Sequence, residues 1–282
     1  MPDAVTSGSL HRLSAFTLDP SGGNPAGVWI GEALPSPELM QRIAADVGFS
    51  ETAFVAPSRG EVRTIRYYSP RAEVTFCGHA TIATGVVLGE TDGDRTYRLE
   101  TSVGVVPVAV AGRDGRRETS LTSVEPRQEA APAALVDAVL AGLGWRRDEL
   151  DPAIPPARAY AGAWHLVLAV RDSSRLATLE YDLEAMRKLM EADGLTTLQL
   201  VWRENVELFH SRNPFPVGGV AEDPATGAAA AALGGYLRDA GLIAAPTTFT
   251  IRQGEAMGRP SRLTVEVPTH GGIVVSGTAV HL

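Results

Sequence analysis

Two stretches of this 282-residue chain read as helices with no polar face: CGHATIATGVVLGE, Cys77 to Glu90, and DPATGAAAAALGGYL, Asp223 to Leu237. A helix that is apolar all round is buried all round, so each of these needs other elements wrapped about it. Alanine and glycine suit that role, because small side chains let a surrounding sheet come close. That closeness offsets the roughly 1 kcal/mol that Gly234 and Gly235 would each cost inside a helix. Both segments place Ala-Thr near their start, at Ala80 and Ala225, about half a chain apart, and this weak echo gains weight because each follows a β-rich run. The expected fold is α+β, with two pseudo-symmetric lobes, each a curled, mostly antiparallel sheet around a central buried helix.

The remaining pattern fits that plan. RLSAFTL, VWIG, ETAFVA and VRTIRYYS read as strands, with a polar helix around Ser36 to Val47 between them, and YRLETSVGVVPVAVAG as two more strands. Charged, proline-bearing sequence from Arg113 to Ala133 then interrupts the apolar pattern and is expected to end the first lobe in strands and a linker. A helix at Ala134 to Leu143, the run AGAWHLVLAV, a helix at Leu183 to Asp193 and the strands LQLVW and VELFHS follow. FTIRQGEAMGRPSRLTVEV reads as a hairpin and GGIVVSGTAVHL as closing strands. The expected lobes are 1–125 and 126–269, in line with about two domains for this length.

Composition narrows the function. With 25 Lys and Arg against 33 Asp and Glu, a net charge of −8 and no basic run, nothing is suited to tracking a phosphate backbone, so no nucleic-acid partner is expected. The single cysteine, Cys77, excludes an intramolecular disulfide and fits a reducing compartment. The start MPDAVTSGSL has no basic region leading into an apolar run, and no segment approaches the ~20 apolar residues of a membrane span. The expectation is a cytoplasmic protein without a membrane partner. GGNPAG lacks a lysine and a following helix, no G-x-G-x-x-G occurs, and there is no G-x-S-x-G elbow. The six histidines show no H-x-x-x-H or H-x-H spacing, so no metal site is expected.

Helix beginnings carry unpaired N–H groups and a partial positive charge, and they bind carboxylates. Two wrapped helices, one per lobe, could aim theirs at a shared cleft. Cys77-Gly78-His79 enters the first and Asp223-Pro224-Ala225-Thr226-Gly227 the second, with Gly78 and Gly227 allowing close approach of a ligand to the backbone. Each residue also has a plainer reading. Asp followed by Pro is what any helix start favours at its N-cap, Glu222 beside it reads as solvated, His79 as a core or capping histidine, and Cys77 as a small buried hydrophobe. Glu51, in FSETAFVA, is either an exposed strand start or a carboxyl in apolar surroundings, an environment that suits proton exchange near neutral pH.

Taken together, GGNPAGVW, SETAFV, RYYSPRAEVTFCGHATIAT, EDPATGAAAAALGGYL and RQGEAMGRPSRL, which run in this order over nearly the whole chain, resemble the phenazine-biosynthesis PhzF-like isomerase family, of the diaminopimelate-epimerase-like fold. The resemblance implies a homodimer and closing strands near 270–282 that return to the first lobe. It implies that Glu51 is the general acid/base, moving a proton and with it a double bond in a small unsaturated carboxylated metabolite of secondary metabolism. His79 and Asp223 are then its polar partners, and Asn24, Gly78, Thr226, Gly227 and Ala228 the substrate contacts. No organic cofactor or metal is implied. Proton abstraction beside a π system builds a delocalised anion, which helix N-termini and His79 would stabilise. In the phenazine enzyme a serine follows Thr-Gly in this motif; here it is Ala228, which removes one polar contact and makes the phenazine precursor a poor candidate substrate. His210-Ser211-Arg212 also departs from the family's usual sequence. The related racemases oppose two cysteines, which one cysteine cannot supply. The alternatives are an epimerase pairing Cys77 with a carboxylate, and a scaffold that kept the fold and lost the reaction.

Overall fold

The computed structural model describes residues 7–102, 104–113 and 115–282. The chain divides into two compact units, residues 1–122 with 276–282, and residues 123–275. Among the described residues no helix is long and apolar enough to cross a membrane.

The first unit comprises β1 (Gly8–Ala15), β2 (Asn24–Gly31), α1 (Pro37–Val47), β3 (Glu51–Pro57), β4 (Val62–Tyr68), β5 (Glu73–Val74), α2 (Gly78–Asp92), β6 (Thr96–Thr101), β7 (Gly104–Arg113) and β8 (Arg116–Thr122). Most neighbouring strands are antiparallel, but β2–β3 and β4–β6 are parallel. A parallel joint needs a crossover, and α1 and α2 are those two crossovers. Every residue of α2 from His79 to Gly89 is buried, against β1, β2, β3, β7 and β8. Its polar positions are satisfied within the wrap. Thr81 Oγ1 donates to Cys77 O at 2.6 Å and Thr84 Oγ1 to Ala80 O at 2.8 Å, while the buried Tyr67 hydroxyl lies 2.6 Å from Thr81 Oγ1. Gly85 faces β8 so closely that a Cβ there would lie 2.4 Å from Thr119 Cγ2. By contrast α1, capped by Ser36 and closed by Gly48 in the left-handed region, buries one face only. Met40 and Ala44 pack there on Trp29, Phe54 and Tyr68.

The second unit comprises β9 (Arg127–Ala130), α3 (Ala133–Leu143), β10 (Ala157–Tyr160), β11 (Trp164–Val170), α4 (Ser173–Ala177), α5 (Leu183–Ala192), β12 (Thr197–Arg203), β13 (Leu208–Arg212), α6 (Gly227–Asp239), β14 (Thr247–Gln253) and β15 (Ser261–Val267), and the chain returns to the first unit within β16 (Val274–Gly277). The senses repeat those of the first unit: antiparallel β10–β11, parallel β11–β12, antiparallel β12–β13, parallel β13–β14 and antiparallel β14–β15. Here α6 is the crossover between β13 and β14, as α2 is between β4 and β6. It is buried from Ala229 to Leu237 against β9, β10, β11, β12 and β15. A Cβ on Gly235 would lie 2.3 Å from Pro126 Cβ, so the glycine that local propensity disfavours is demanded by the packing. A separate core joins α3 and α5 to the sheet through Leu135, Val139, Met186, Met190, Leu166 and Leu200. The last strand, β17 (Ala279–His281), pairs antiparallel with β1.

Arg113 to Ala133, expected to end the first lobe in strands and a linker, carries β8 and β9, which pair with β7 and β10, and the boundary between the units falls between them, after Thr122. Two local expectations are corrected. The Ala-Thr echo is not a structural equivalence, because Ala80-Thr81 lie inside α2 whereas Ala225-Thr226 precede α6. Glu222, read as solvated, is 8 % exposed and takes a fork from Arg212, whose Nε donates to Oε1 at 3.0 Å and to Oε2 at 3.2 Å.

Candidate active site

In the first unit the site grows from the parallel joint β2–β3. Glu51 opens β3 opposite Ala26, two residues beyond Asn24 at the start of β2. The β1–β2 turn that delivers Asn24 depends on Gly23, at φ +69°, where a Cβ would lie 2.4 Å from Ala15 O. GGN is therefore a turn device, and Asn24, only 2 % exposed, points its amide at a neighbour. Asn24 Nδ2 lies 3.2 Å from His79 Nδ1. An amide N–H donated to an unprotonated Nδ1 leaves the ring proton on Nε2. That nitrogen stands 3.4 Å from Glu51 Oε2 and 3.3 Å from Ser50 Oγ.

His79 is held there by α2. Cys77 is the N-cap residue, and the first intrahelical bond runs from Thr81 N–H to Cys77 O. The N–H groups of Gly78, His79 and Ala80 thus stand ahead of the ladder at the positive end of the helix. Cys77 Sγ is 3.4 Å from His79 Nδ1 and 3.7 Å from Nε2. Glu51, Cys77 and His79 each offer an atom within 4.8 Å of the others. Histidine spacing along the chain does not reveal this group, because its members come from a strand and a helix entry rather than from one segment.

In the second unit the polar group is built on the entry to α6. Asp223 is not the helix N-cap that its Asp-Pro pair suggests: α6 begins at Gly227 with Thr226 at the cap position. Tertiary hydrogen bonds hold the intervening turn open. Asp223 N–H donates to Asn213 O at 3.0 Å, and Thr226 Oγ1 donates to Asp223 Oδ2 at 2.6 Å. Gln253, 1 % exposed, is the clamp. Its Nε2 donates to Asp223 O at 2.7 Å and Thr226 Oγ1 at 3.0 Å, and its Oε1 accepts from Thr226 N–H and Ser211 Oγ, both at 3.3 Å. The following Gly254, at φ +76°, turns so tightly that a Cβ would meet Arg259 O at 2.3 Å and Pro224 O at 2.8 Å. Thr226, Gly227 and Ala228 are all half-buried. Gln253 escaped the sequence reading as a site residue, although RQG was one of the matching motifs; its signal was a buried polar side chain ahead of a left-handed glycine.

Behind this entry lies a polar layer with no acid/base role at neutral pH. His165 Nδ1 is 2.8 Å from Thr197 Oγ1, and Asn213 Nδ2 donates to Thr197 Oγ1 at 3.2 Å and to Gln199 Oε1 at 2.6 Å. Burial pushes His165 down to about 3, so its ring is neutral there.

The comparisons with known proteins agree with one another. The family model described as phenazine biosynthesis-like protein matches residues 13–282. An uncharacterized isomerase of Deinococcus radiodurans is 34 % identical over 275 residues, covering 92 % of this chain and 87 % of that protein. The trans-2,3-dihydro-3-hydroxyanthranilate isomerase of Pseudomonas aeruginosa is 33 % identical over 265 residues, covering 90 % and 89 %. Among solved structures, the PhzF-family phenazine biosynthesis protein of Bacillus anthracis superposes with a TM-score of 0.85 at 25 % identity, covering 97 % of this chain and 96 % of that one.

Proposed function

Because the chain belongs to the phenazine biosynthesis-like protein family, whose relatives include named isomerases, we propose that it is a cofactor-independent isomerase that shifts a proton, and with it a double bond, in a small unsaturated carboxylic acid. The observation that carries this reading is the Glu51–His79 pair, a carboxylate 3.4 Å from an imidazole nitrogen in the first turn of a buried helix. Glu51 takes the proton from one carbon and returns it to another. His79, steadied by Asn24, lies beside the carboxylate and with the α2 N-terminus stabilises the negative charge that grows on the substrate. Asp223 serves as the further polar partner, with Gly78, Thr226, Gly227 and Ala228 as substrate contacts. Ala228 lacks a hydroxyl, which counts against the acid named for the Pseudomonas aeruginosa relative as the substrate.

The test is hydrogen exchange in heavy water, followed by NMR over a panel of small unsaturated carboxylic acids that includes trans-2,3-dihydro-3-hydroxyanthranilate. Wild-type protein is expected to exchange and isomerise at least one acid, and Glu51→Gln to slow it by about 10²- to 10⁴-fold. Exchange by Glu51→Gln at the wild-type rate overturns the role of Glu51. A second reading, an epimerase using Cys77, is favoured by the 3.4 Å approach of Cys77 Sγ to His79. It requires inversion of a stereocentre that is lost on alkylating the thiol.

A further inference from the structure

We infer that Glu51, Cys77 and His79 form a metal site of zinc type, and that its occupation shuts off the proton transfer proposed above. The first part stands on geometry. Zinc holds thiolate sulfur at about 2.3 Å, imidazole nitrogen at about 2.0–2.1 Å and carboxylate oxygen at about 2.0–2.2 Å in a tetrahedron. Those bond lengths make the edges between donor atoms about 3.3–3.6 Å. Here the sulfur-to-Nε2 edge is 3.7 Å and the Nε2-to-Oε2 edge is 3.4 Å, and all three donor atoms lie within 4.8 Å of one another. Cys77 Sγ, also 3.4 Å from Nδ1, lies over the ring rather than beyond Nε2, so side-chain rotations of both Cys77 and Glu51, the latter half-buried at the head of its strand, are needed to complete three corners. The fourth is left for water.

The surroundings suit a metal ligand. A coordinating histidine normally engages its other ring nitrogen with a fixed partner, which sets the ring's orientation, and Asn24 stands 3.2 Å from His79 Nδ1. On binding through Nε2, the ring proton moves to Nδ1 and the Asn24 amide turns its oxygen toward it. The Cys77 thiol releases its proton to solvent as sulfur coordinates. One thiolate and one carboxylate cancel the charge of a divalent ion, so the filled site is neutral, which spares this largely buried cluster an uncompensated charge. A sulfur, nitrogen and oxygen set favours zinc, cobalt or cadmium over the oxygen-seeking magnesium and calcium.

The second part rests on the proposed function. A metal at these three atoms takes the carboxylate of Glu51 and Nε2 of His79 out of use, and the protein becomes an isomerase that zinc inhibits reversibly.

Chelator-treated full-length protein titrated with cobalt(II) is expected to bind one ion with a thiolate-to-cobalt near-ultraviolet band and strong tetrahedral visible absorption. Zinc should displace it. Cys77→Ser should abolish the thiolate band, and Cys77→Ser and the near-isosteric Glu51→Gln should each weaken zinc binding by at least tenfold, measured against a chromophoric chelator. Binding without the thiolate band, or zinc affinity unchanged in Glu51→Gln, overturns the site. The exchange assay separates the two ideas. Exchange with no metal binding removes this inference and leaves the isomerase reading intact, whereas the cobalt signature in a protein that exchanges no acid does the reverse. Exchange undiminished by stoichiometric zinc removes the inhibition.

Discussion

His79 Nε2 lies 3.4 Å from Glu51 Oε2 while Nδ1 of the same ring lies 3.2 Å from the Asn24 amide. One imidazole therefore joins the start of β2 to the start of β3 through the first turn of α2. Its tautomer is set from the side away from the carboxylate, which on the proposed reading gives Asn24 a positioning role beside the substrate contact expected of it.

Asn24→Ala is expected to lower kcat for hydrogen exchange by about tenfold or more with KM little changed, since Asn24 acts through His79. Asn24→Asp should shift the pH profile of kcat, because a carboxylate at Nδ1 favours a charged ring. Steady-state exchange rates between pH 5 and 9 decide this, and an unaltered pH profile in Asn24→Asp speaks against a positioning role.

Gln253→Ala removes four hydrogen bonds, three to the turn between Asp223 and Thr226 and one to Ser211. Partners left buried without a hydrogen bond cost about 1–3 kcal/mol each where water cannot replace Gln253. A loss of about 2–4 kcal/mol in urea unfolding is expected, together with a raised KM. Gln253→Glu restores the acceptor and not the donors, so it should fall between the two.

Gly234 and Gly235 are neighbours in α6 with expectations of different size. Alanine gains about 1 kcal/mol over glycine in a helix. At Gly234 the new Cβ would meet only methyl carbons at 3.0–3.2 Å, from Val265, Ile273 and Val267, whereas at Gly235 it would stand 2.3 Å from Pro126 Cβ. Gly235→Ala should destabilise the protein by about 1–3 kcal/mol through overpacking, and Gly234→Ala by under about 1 kcal/mol. Thermal unfolding of the pair is the measurement, and equal effects would contradict the close approach of Pro126.

His165 makes stability depend on acid. Its folded value is pushed down to about 3 by burial, so between the unfolded value of about 6.5 and that limit the unfolded chain holds a proton that the folded chain refuses. Its contribution is complete above pH 6.5 and is lost as the pH falls, by up to about 1.4 kcal/mol per pH unit. The urea midpoint of wild type should drop between pH 6.5 and 4.5, and that slope, rather than the absolute stability, should shrink in His165→Asn. An unchanged slope assigns the acid sensitivity to other groups.

What local sequence could reveal is clear from α2 and α6. Neither CGHATIATGVVLGE nor PATGAAAAALGGYL has a polar face, and burial follows from that alone whatever the surrounding order of strands. The residue types of the candidate site were equally legible, because Glu51 opens an apolar strand and His79 stands at a helix entry. At Asp223 local pattern misled. An Asp-Pro pair favours capping by propensity worth about 1 kcal/mol, and several tertiary hydrogen bonds from Gln253 and Asn213 outweigh it, so the helix starts at Gly227.

The sequence by itself determined that two helices would be wrapped, which family the chain resembles and which side chains are candidates for acid/base chemistry. The tertiary structure alone decided which of them meet. Parallel joints at β2–β3 and β4–β6, and the crossover helix α2, bring Asn24, Glu51, Cys77 and His79 together from three separate segments. Hydrophobic pattern reports only which face of an element is buried, whereas convergence of side chains depends on register between elements far apart in the chain. That register is fixed by packing as close as Gly85 on Thr119 and Gly235 on Pro126.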